Sequence, residues 1–269
     1  MMYEFCDTIG TPSNALLPSE AICYDGVWID NDISLYRTLY TSGRESFNAD
    51  VAELSLESMD GSAFLRKRLR PRTITVGYQI TAANAHEMMT AYNRLNKLMR
   101  GTQVQVIFAD EPDKYYIGTC VTIGTPEPGR LTVKSEMEIY CPDPCKHALE
   151  EKTVSPTSGR FAVEYAGTYP ARPTFTADFS GNTQKVMFTG DDAVVVAGGT
   201  DANTFQSGDS LTIDCSAAEI YLNSEKAPSL GDIANEYESM LLQPGANIIT
   251  ASSTGSSPTL RMKYREAWL

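Results

Sequence analysis

Hydrophobic and polar residues alternate along much of the first half of the chain. From Thr73 to Ile80 every second side chain is apolar, and Thr and Gln lie on the other side. A period of two indicates a half-buried β-strand, because successive side chains of a strand point to opposite faces. The same pattern predicts further strands over 104–108, 115–123 and 131–140. In the last of these strands, the side chains expected to face inward are Leu131, Val133, Met137 and Ile139.

One helix is predicted between the first two of these strands. Apolar residues recur there at helical spacing, at Met88, Ala91, Tyr92, Leu95 and Leu98. Asn84 precedes Glu87 by three residues, as in a capping box that begins a helix. Gly101 follows at the place where a left-handed residue commonly ends one. The first part of the chain is therefore expected to contain many strands and one helix.

The second half shows short alternating segments separated by turn signals such as FSGN, QSGDS and QPGAN. Apolar residues alternate with polar ones at Leu211, Ile213 and Cys215, and again at Leu260, Met262 and Tyr264. This is typical of antiparallel strands with one face in water, and it favours a β-sandwich. The serine-rich patch Thr250–Thr259 is expected to be a flexible hairpin loop.

Two domains are predicted, over residues 1–145 and 146–269. The polar stretch KHALEEKTVSPTSG separates the two patterns, and 269 residues suit about two domains. The closing strand is expected to lie in the second domain or to pack near the first.

Composition and charge narrow the function classes. The chain is 42% hydrophobic and 21% charged, which is ordinary for folded proteins, and its net charge is -12. Tight nucleic-acid binders usually present a basic face, so DNA is not expected as a tightly held ligand. No apolar run is long enough to span a bilayer, and the N-terminus lacks a secretion-signal pattern, so neither membrane insertion nor export is expected.

The stretch IYCPDPCKH permits three interpretations: a metal site, a disulfide or a joint between domains. Cys141, Cys145 and His147 do not have a standard zinc spacing, and structural zinc normally takes four ligands. A disulfide is disfavoured in a reducing compartment and across a short loop with two prolines. Prolines end a strand stiffly. The stretch is therefore interpreted as a domain joint formed by Cys141, Pro142, Asp143 and Pro144, with no metal and no cofactor.

Three carboxylates in FADEPDKYY raise the possibility of a glycosidase pair or a calcium loop. Asp110, Glu111 and Asp113 match no EF-hand pattern, and Glu111-Pro112-Asp113 resembles a tight hairpin turn, so all three are interpreted as solvated turn residues. No G-x-S-x-G motif surrounds a serine, and His86 lies in the predicted helix. The chain is not expected to be an enzyme.

The segment FLRKRLRPR is the one basic cluster. Arg66, Arg68, Arg70 and Arg72 would line one side of an extended segment. They could contact DNA, remain solvated, or pair with acidic groups of another subunit, which a protein of charge -12 supplies readily. The subunit interface is the favoured interpretation.

Taken in order, these features resemble the siphophage distal tail protein family. In the first part the resemblance rests on SMDGSAFLRKRLRPRTITVGYQI, the capped helix, FADEPDKYYIGTC and the strand ending in CPDP. In the second part it rests on AGTYPARPTFTA, GDSLTIDC, LLQPGANIIT and the closing LRMKYREAWL.

The resemblance implies a mainly β fold: an N-terminal β-sandwich-like, ring-forming domain with one α-helix, and a C-terminal galectin-like or carbohydrate-module-like β-sandwich. It implies a homo-hexamer around an axial channel for DNA passage without specific binding. The partners implied are the major tail tube protein on one side and tail-associated lysin, tail fibre or baseplate receptor-binding proteins on the other. The protein would reside at the virion tail tip after synthesis in the host bacterial cytoplasm. The alternative is an adhesion module that binds a host-surface glycan.

Overall fold

The computed structural model describes residues 17–55, 60–125, 129–201 and 203–269. Contacts within the chain divide it into two compact units, with the division after His147. The predicted boundary lies two residues earlier. Each unit has a hydrophobic core of its own.

The first unit consists of strands and two helices. The strands are β1 (Ile22–Tyr24), β2 (Val27–Trp28), β3 (Tyr36–Ser42), β4 (Ala49–Leu54), β5 (Ala63–Leu69), β6 (Arg72–Thr81), β7 (Val104–Phe108), β8 (Glu111–Ile123), β9 (Thr132–Cys141) and β10 (Lys146–Ala148), which crosses the division. The helices are α1 (Ile29–Asp32) and α2 (Ala85–Leu98).

An antiparallel sheet in the order β2-β1-β7-β8-β9-β6-β3 forms the frame of this unit. The predicted inward face of β6 is confirmed, because Ile74, Val76, Tyr78 and Ile80 are fully buried. They share a core with the apolar side of α2, including Leu95. Full burial of one such side chain stabilises the fold by about 1.5–3 kcal/mol, so this helix–sheet contact holds the unit together.

The start of α2 is as predicted and its end is not. The Asn84 side chain accepts a hydrogen bond from the Glu87 N–H at 3.0 Å, and the Glu87 carboxylate accepts one from Ala83. The helix ends at Leu98, and Gly101 does not adopt the left-handed conformation. A Cβ at Gly101 would lie 2.7 Å from a Val104 methyl, so close packing is what requires glycine there.

Two further details of the first unit differ from expectation. The one-turn helix α1 was not predicted, because four residues are too few to show a helical period. Leu131 is exposed and precedes β9, so its predicted inward orientation is wrong. Val133, Met137 and Ile139 do face the core.

The second unit is built almost entirely of strands. They are β11 (Lys152–Val154), β12 (Arg160–Tyr165), β13 (Thr174–Asp178), β14 (Thr183–Thr189), β15 (Val194–Gly198), β16 (Ser210–Asp214), β17 (Glu219–Leu222), β18 (Glu225–Lys226), β19 (Gly245–Gly255), β20 (Thr259–Tyr264) and β21 (Ala267–Trp268). A short 3-10 turn covers Pro228–Leu230.

These strands form two sheets, ordered β11-β20-β13-β16-β17-β18 and β12-β19-β14-β15. The rings of Phe175 on the first sheet and Phe188 on the second stack with centroids 4.1 Å apart, and both residues are fully buried. Apolar residues of β16 and β20 point into the same core, as their alternation predicts. The predicted sandwich and the mainly β fold are confirmed.

Two segments of the second half were misinterpreted. Strand β19 continues to Gly255 and pairs with β14, so most of the serine-rich patch is strand and not a hairpin loop. The polar stretch at 146–159 carries β10 and β11. Hydrogen bonding to neighbouring strands outweighs the low strand propensity of such sequences, and these pairings are not visible in the local pattern.

Candidate assembly surfaces

Strands β4 and β5 pair only with each other among the described residues, and together they form a hairpin that we call the arm. Asp50 lies opposite Arg68, and Ala52 lies opposite Arg66. A bulge follows between Ala52 and Glu53. Most side chains of both strands are exposed. A hairpin with so little core of its own is marginal in isolation, so contacts with another surface would stabilise it.

One face of the arm is charged. Arg66 and Arg68 are exposed on it, and Arg70 follows directly. Arg70 Nε donates to Asp50 Oδ1 at 2.6 Å, and this hydrogen bond lowers the pKa of the Asp50 carboxyl. The pair is open to solvent and screened by salt. Across the strand pair, Arg68 lies opposite Asp50, but Arg66 lies opposite an alanine. This face therefore carries more positive than negative charge.

The arm also exposes large apolar side chains, which the arginine pattern alone does not indicate. The apolar residues 47–66% exposed on the arm and just before it are Phe47, Val51, Leu54, Phe64 and Leu65. Several large exposed apolar side chains on one two-stranded element favour a protein–protein contact. The sequence signal was present, because apolar residues occur among the charged ones in FLRKRLRPR.

Arg72 lies apart from the other three arginines. It is 6% exposed, at the start of β6. Its Nε donates to the Pro144 carbonyl at 2.8 Å, and its Nη1 donates to the carbonyls of Gly43 and Arg44 at 2.9 and 2.6 Å. The prediction that Arg72 lines an exposed arginine face is therefore wrong: its hydrogen bonds are made within its own unit.

The predicted joint, Cys141–Pro144, directly follows the end of β9. Burial opposes ionisation of Asp143, but hydrogen bonds from His147 at 2.8 Å and from the Cys145 N–H at 2.9 Å outweigh it and lower the pKa of the carboxyl. These bonds close a compact turn before the division between the units. That this turn acts as a domain joint remains a prediction.

The thiols at the joint are poorly suited to metal binding. Cys141 and Cys145 are buried free thiols, and burial raises the pKa of each to about 12. A thiol must lose its proton to bind zinc. Within the described ranges no group of three or more His, Cys, Asp and Glu side chains is placed to hold a metal ion.

The carboxylates of FADEPDKYY match the expected solvated turn residues only in part. Phe108 pairs with Glu111, so the turn is at Ala109–Asp110 and Glu111 already belongs to β8. We call Asp110 and Glu111 the acidic turn. Asp110 Oδ1 accepts from Arg44 Nη1 at 2.8 Å. Asp110, in the turn, and Asp113 are exposed as predicted, whereas Glu111 is partly buried.

Glu111 links the acidic turn to the residues after the joint. Its carboxylate oxygens accept from Lys146 Nζ at 2.7 and 2.6 Å, and from Lys114 Nζ at 2.9 Å. Burial opposes ionisation, but the two ammonium groups outweigh it and lower the pKa of Glu111. Asp110 and Glu111 therefore serve as structural ion-pair partners.

His86 lies on the exposed side of α2, away from the core. No helix in the described part of the chain has the length and apolar character needed to cross a bilayer.

Known protein families match both units. Residues 34–141 match the phage tail protein RIFT-related domain, and residues 166–268 match the siphovirus-type tail component, C-terminal domain. The distal tail protein of Bacillus phage SPP1 is 27% identical over 188 residues, which are 68% of this chain and 73% of that protein. The chain belongs to the siphophage distal tail protein family. The resemblance seen in the sequence motifs is thereby confirmed.

Solved structures show that this distal tail protein shares its fold with a relative. The crystal structure of the SPP1 Dit (gp 19.1) protein matches with a TM-score of 0.78 at 18% identity, over 93% of this chain and 99% of that one. A chain of the phage p2 baseplate, in its activated conformation with calcium, matches with a TM-score of 0.45 at 8% identity, over 86% of this chain and 90% of that one. The protein is a phage tail component.

Proposed function

We propose that this distal tail protein assembles as a homo-hexameric ring at the tip of the phage tail. The first unit is the ring-forming domain, and the second unit is a separable β-sandwich. The observation that carries this proposal is the arm, which combines an arginine-bearing face with exposed apolar side chains. A monomer gains nothing from such a surface, whereas a closed ring repeats one contact at every interface.

The arm suits a contact between copies of an acidic chain. Arg66, Arg68 and Arg70 present planar guanidinium groups, which pair well with carboxylates. The protein has a net charge of -12, so a neighbouring copy offers many carboxylates. Burial of the apolar side chains adds a contribution that salt does not screen. Arg72 was also assigned to this interface from the sequence. It would contribute to the interface only indirectly, through its hydrogen bonds within its own unit.

The ring would enclose an axial channel through which DNA passes without specific binding. Glu136 and Glu138 are exposed on β9, and Arg70 is already paired with Asp50. A surface of net negative charge repels phosphates, so a polymer of phosphates slides past it and is not retained. The wild-type protein is accordingly expected not to retain duplex DNA at physiological salt.

The partners of the ring follow from its place in the tail. The SPP1 Dit protein is described as a paradigm of the hub adsorption apparatus in phages that infect Gram-positive bacteria. By analogy, the present protein would bind the major tail tube protein on one side and tail-associated lysin, tail fibre or baseplate receptor-binding proteins on the other. It would be made in the host cytoplasm, act at the virion tail tip and serve a structural, non-enzymatic role.

Imaging combined with a binding assay tests this proposal. Electron micrographs of the purified full-length protein should show rings with six-fold symmetry and an open centre, and a DNA-retention assay at physiological salt should be negative. Monomeric particles at micromolar concentration would contradict the ring. Retention of duplex DNA would place the arginine face of the arm on the channel wall.

A host-surface glycan is the alternative ligand, and one feature of the second unit favours it. A cleft of about 480 Å³ combines the Tyr237 ring with the side chains of Glu219, Lys226 and Asp232. An aromatic ring beside hydrogen-bonding groups is a suitable surface for a sugar. A glycan array with the full-length protein tests this function, and Tyr237→Ala should abolish any signal that arises at the cleft.

A further inference from the structure

We infer that Arg72 and the acidic turn couple the arm to the joint, so that contact between the arm and a neighbouring subunit changes the conformation of the joint. We call residues 43–48, which connect β3 to the arm, the arm root. The inference rests on the proposed ring, because the neighbour is the source of the signal. It assigns a positioning role to Arg72, Asp110 and Glu111.

The first link runs through Arg72. One guanidinium donates to Pro144 at the joint and to Gly43 and Arg44 in the arm root, at 2.6–2.9 Å. Each acceptor is a backbone carbonyl, so a displacement of either segment changes these distances directly. Lysine cannot replace these bonds, because its ammonium lacks the fixed fork of donors that a guanidinium presents.

The second link runs through the acidic turn. Asp110 accepts from Arg44 of the arm root, and its neighbour Glu111 accepts from Lys146 just beyond the joint. Two adjacent carboxylates therefore hold the same two segments that Arg72 holds. The Arg44 and Lys146 side chains are 9% and 18% exposed, and their partners Asp110 and Glu111 are 34% and 28% exposed, so these pairs are partly shielded from solvent.

The two links share an aromatic support. The Arg44 guanidinium carbon lies 4.4 Å from the centroid of the Phe108 ring, and that of Arg72 lies 5.7 Å from the Tyr116 centroid. The two rings contact each other edge to face, with centroids 6.2 Å apart. Cation–π contacts of this kind fix guanidinium positions where water is excluded.

The arm root has little room to absorb a displacement. Gly43 has φ +88°, and a Cβ at this position would lie 2.4 Å from the Thr73 carbonyl oxygen. The root therefore packs directly on β6, one residue from Arg72. A shift imposed on the arm passes to Arg72 and Arg44, and from them to the joint.

Cys145 provides a reporter for the joint. Cys145 is 2% exposed, and its N–H donates to the Asp143 carboxylate within the turn. The matched reference is Cys215, which is 1% exposed in the core of the second unit. Maleimide labelling followed by peptide mass spectrometry gives the rate at each thiol separately, so opening of the joint is distinguished from general unfolding.

The experiment compares four full-length proteins: wild type, Arg66→Ser/Arg68→Ser, Arg72→Lys, and the combination of all three substitutions. The arm substitutions should dissociate the ring and raise Cys145 labelling at least about 5-fold, since allosteric couplings typically amount to 5- to 150-fold, with Cys215 unchanged. Arg72→Lys alone should raise Cys145 labelling in the assembled ring. The arm substitutions should then add nothing in the Arg72→Lys background.

Each of the other possible results contradicts a specific part of this inference. A ring that dissociates with less than a 2-fold change at Cys145 overturns the coupling and leaves the ring function intact. A ring that survives the arm substitutions overturns the assignment of Arg66 and Arg68 to the subunit interface, and with it the coupling. An effect of the arm substitutions that persists in the Arg72→Lys background means that the neighbour covers Cys145 directly, which also overturns the coupling. If Arg72→Lys fails to fold by circular dichroism, the wild-type and arm-substituted proteins still decide the first outcome.

Discussion

Phe64 and Leu65 stand on the arm with 66% and 60% of their surfaces exposed. We predict that the double substitution Phe64→Ser/Leu65→Ser dissociates the ring without destabilising the subunit. Full burial of a large apolar side chain contributes about 1.5–3 kcal/mol, so the exposed two-thirds leave roughly 1–2 kcal/mol for each residue to gain at an interface. The pair is therefore worth about 2–4 kcal/mol, or about 30- to 900-fold in the affinity of one subunit contact.

Mass photometry over a dilution series measures this effect, and a thermal melt measures the subunit. Because both side chains are already in water, the melt should change by no more than a typical surface substitution, about 0.5 kcal/mol. Ile248→Ser is the matched control, since Ile248 is 55% exposed on β19 of the second unit. It should leave the ring intact. A double variant with an unaltered dissociation curve would refute the assignment of the arm's apolar side chains to the interface.

Three further predictions concern charge, core packing and pH. Changing Arg66, Arg68 and Arg70 together to Ser should shift ring toward monomer in light scattering, and raised salt should act in the same direction on the wild type; a fully hexameric triple variant would contradict this. Phe188→Ala should lower the free energy of unfolding of the second unit, measured in urea, by about 3–5 kcal/mol and leave the mass of the ring unchanged in buffer. A decrease in that free energy of less than about 1 kcal/mol would contradict the stacked core. Because the pKa of Glu111 is lowered on folding, its contribution to stability is present above its unfolded pKa and is lost as pH falls through the folded value. Urea midpoints should therefore drop below about pH 4, and they should drop less steeply with pH in Glu111→Gln. Equal pH dependence of the urea midpoint in both proteins would refute the role of that carboxylate.

Much of the fold was predictable because strand alternation is a local property. The faces of β6, β16 and β20 follow from period-two patterns, and the start of α2 follows from Asn84 and Glu87. Each signal lies within a few residues of the structure that it produces. Elements without a sufficient local period, such as α1, escaped prediction.

The site was harder to predict, because its contacts join residues far apart in the chain. Arg72 looked like the fourth member of an exposed arginine series, and only its bonds to Gly43 and Pro144 show otherwise. Asp110 is the exposed turn residue that the sequence predicts, but its pairing with Arg44 and the pairing of Glu111 with Lys146 have no signal in the local pattern. A charge pattern indicates that partners exist, but the tertiary fold decides which partners they are.

The mass of the purified full-length protein in solution tests the central claim most directly. The ring predicts a particle of about 177 kDa, six times the 29.5 kDa chain, at micromolar concentration and physiological salt. A single species of 29.5 kDa under the same conditions would contradict the ring and the assignment of the arm as its interface.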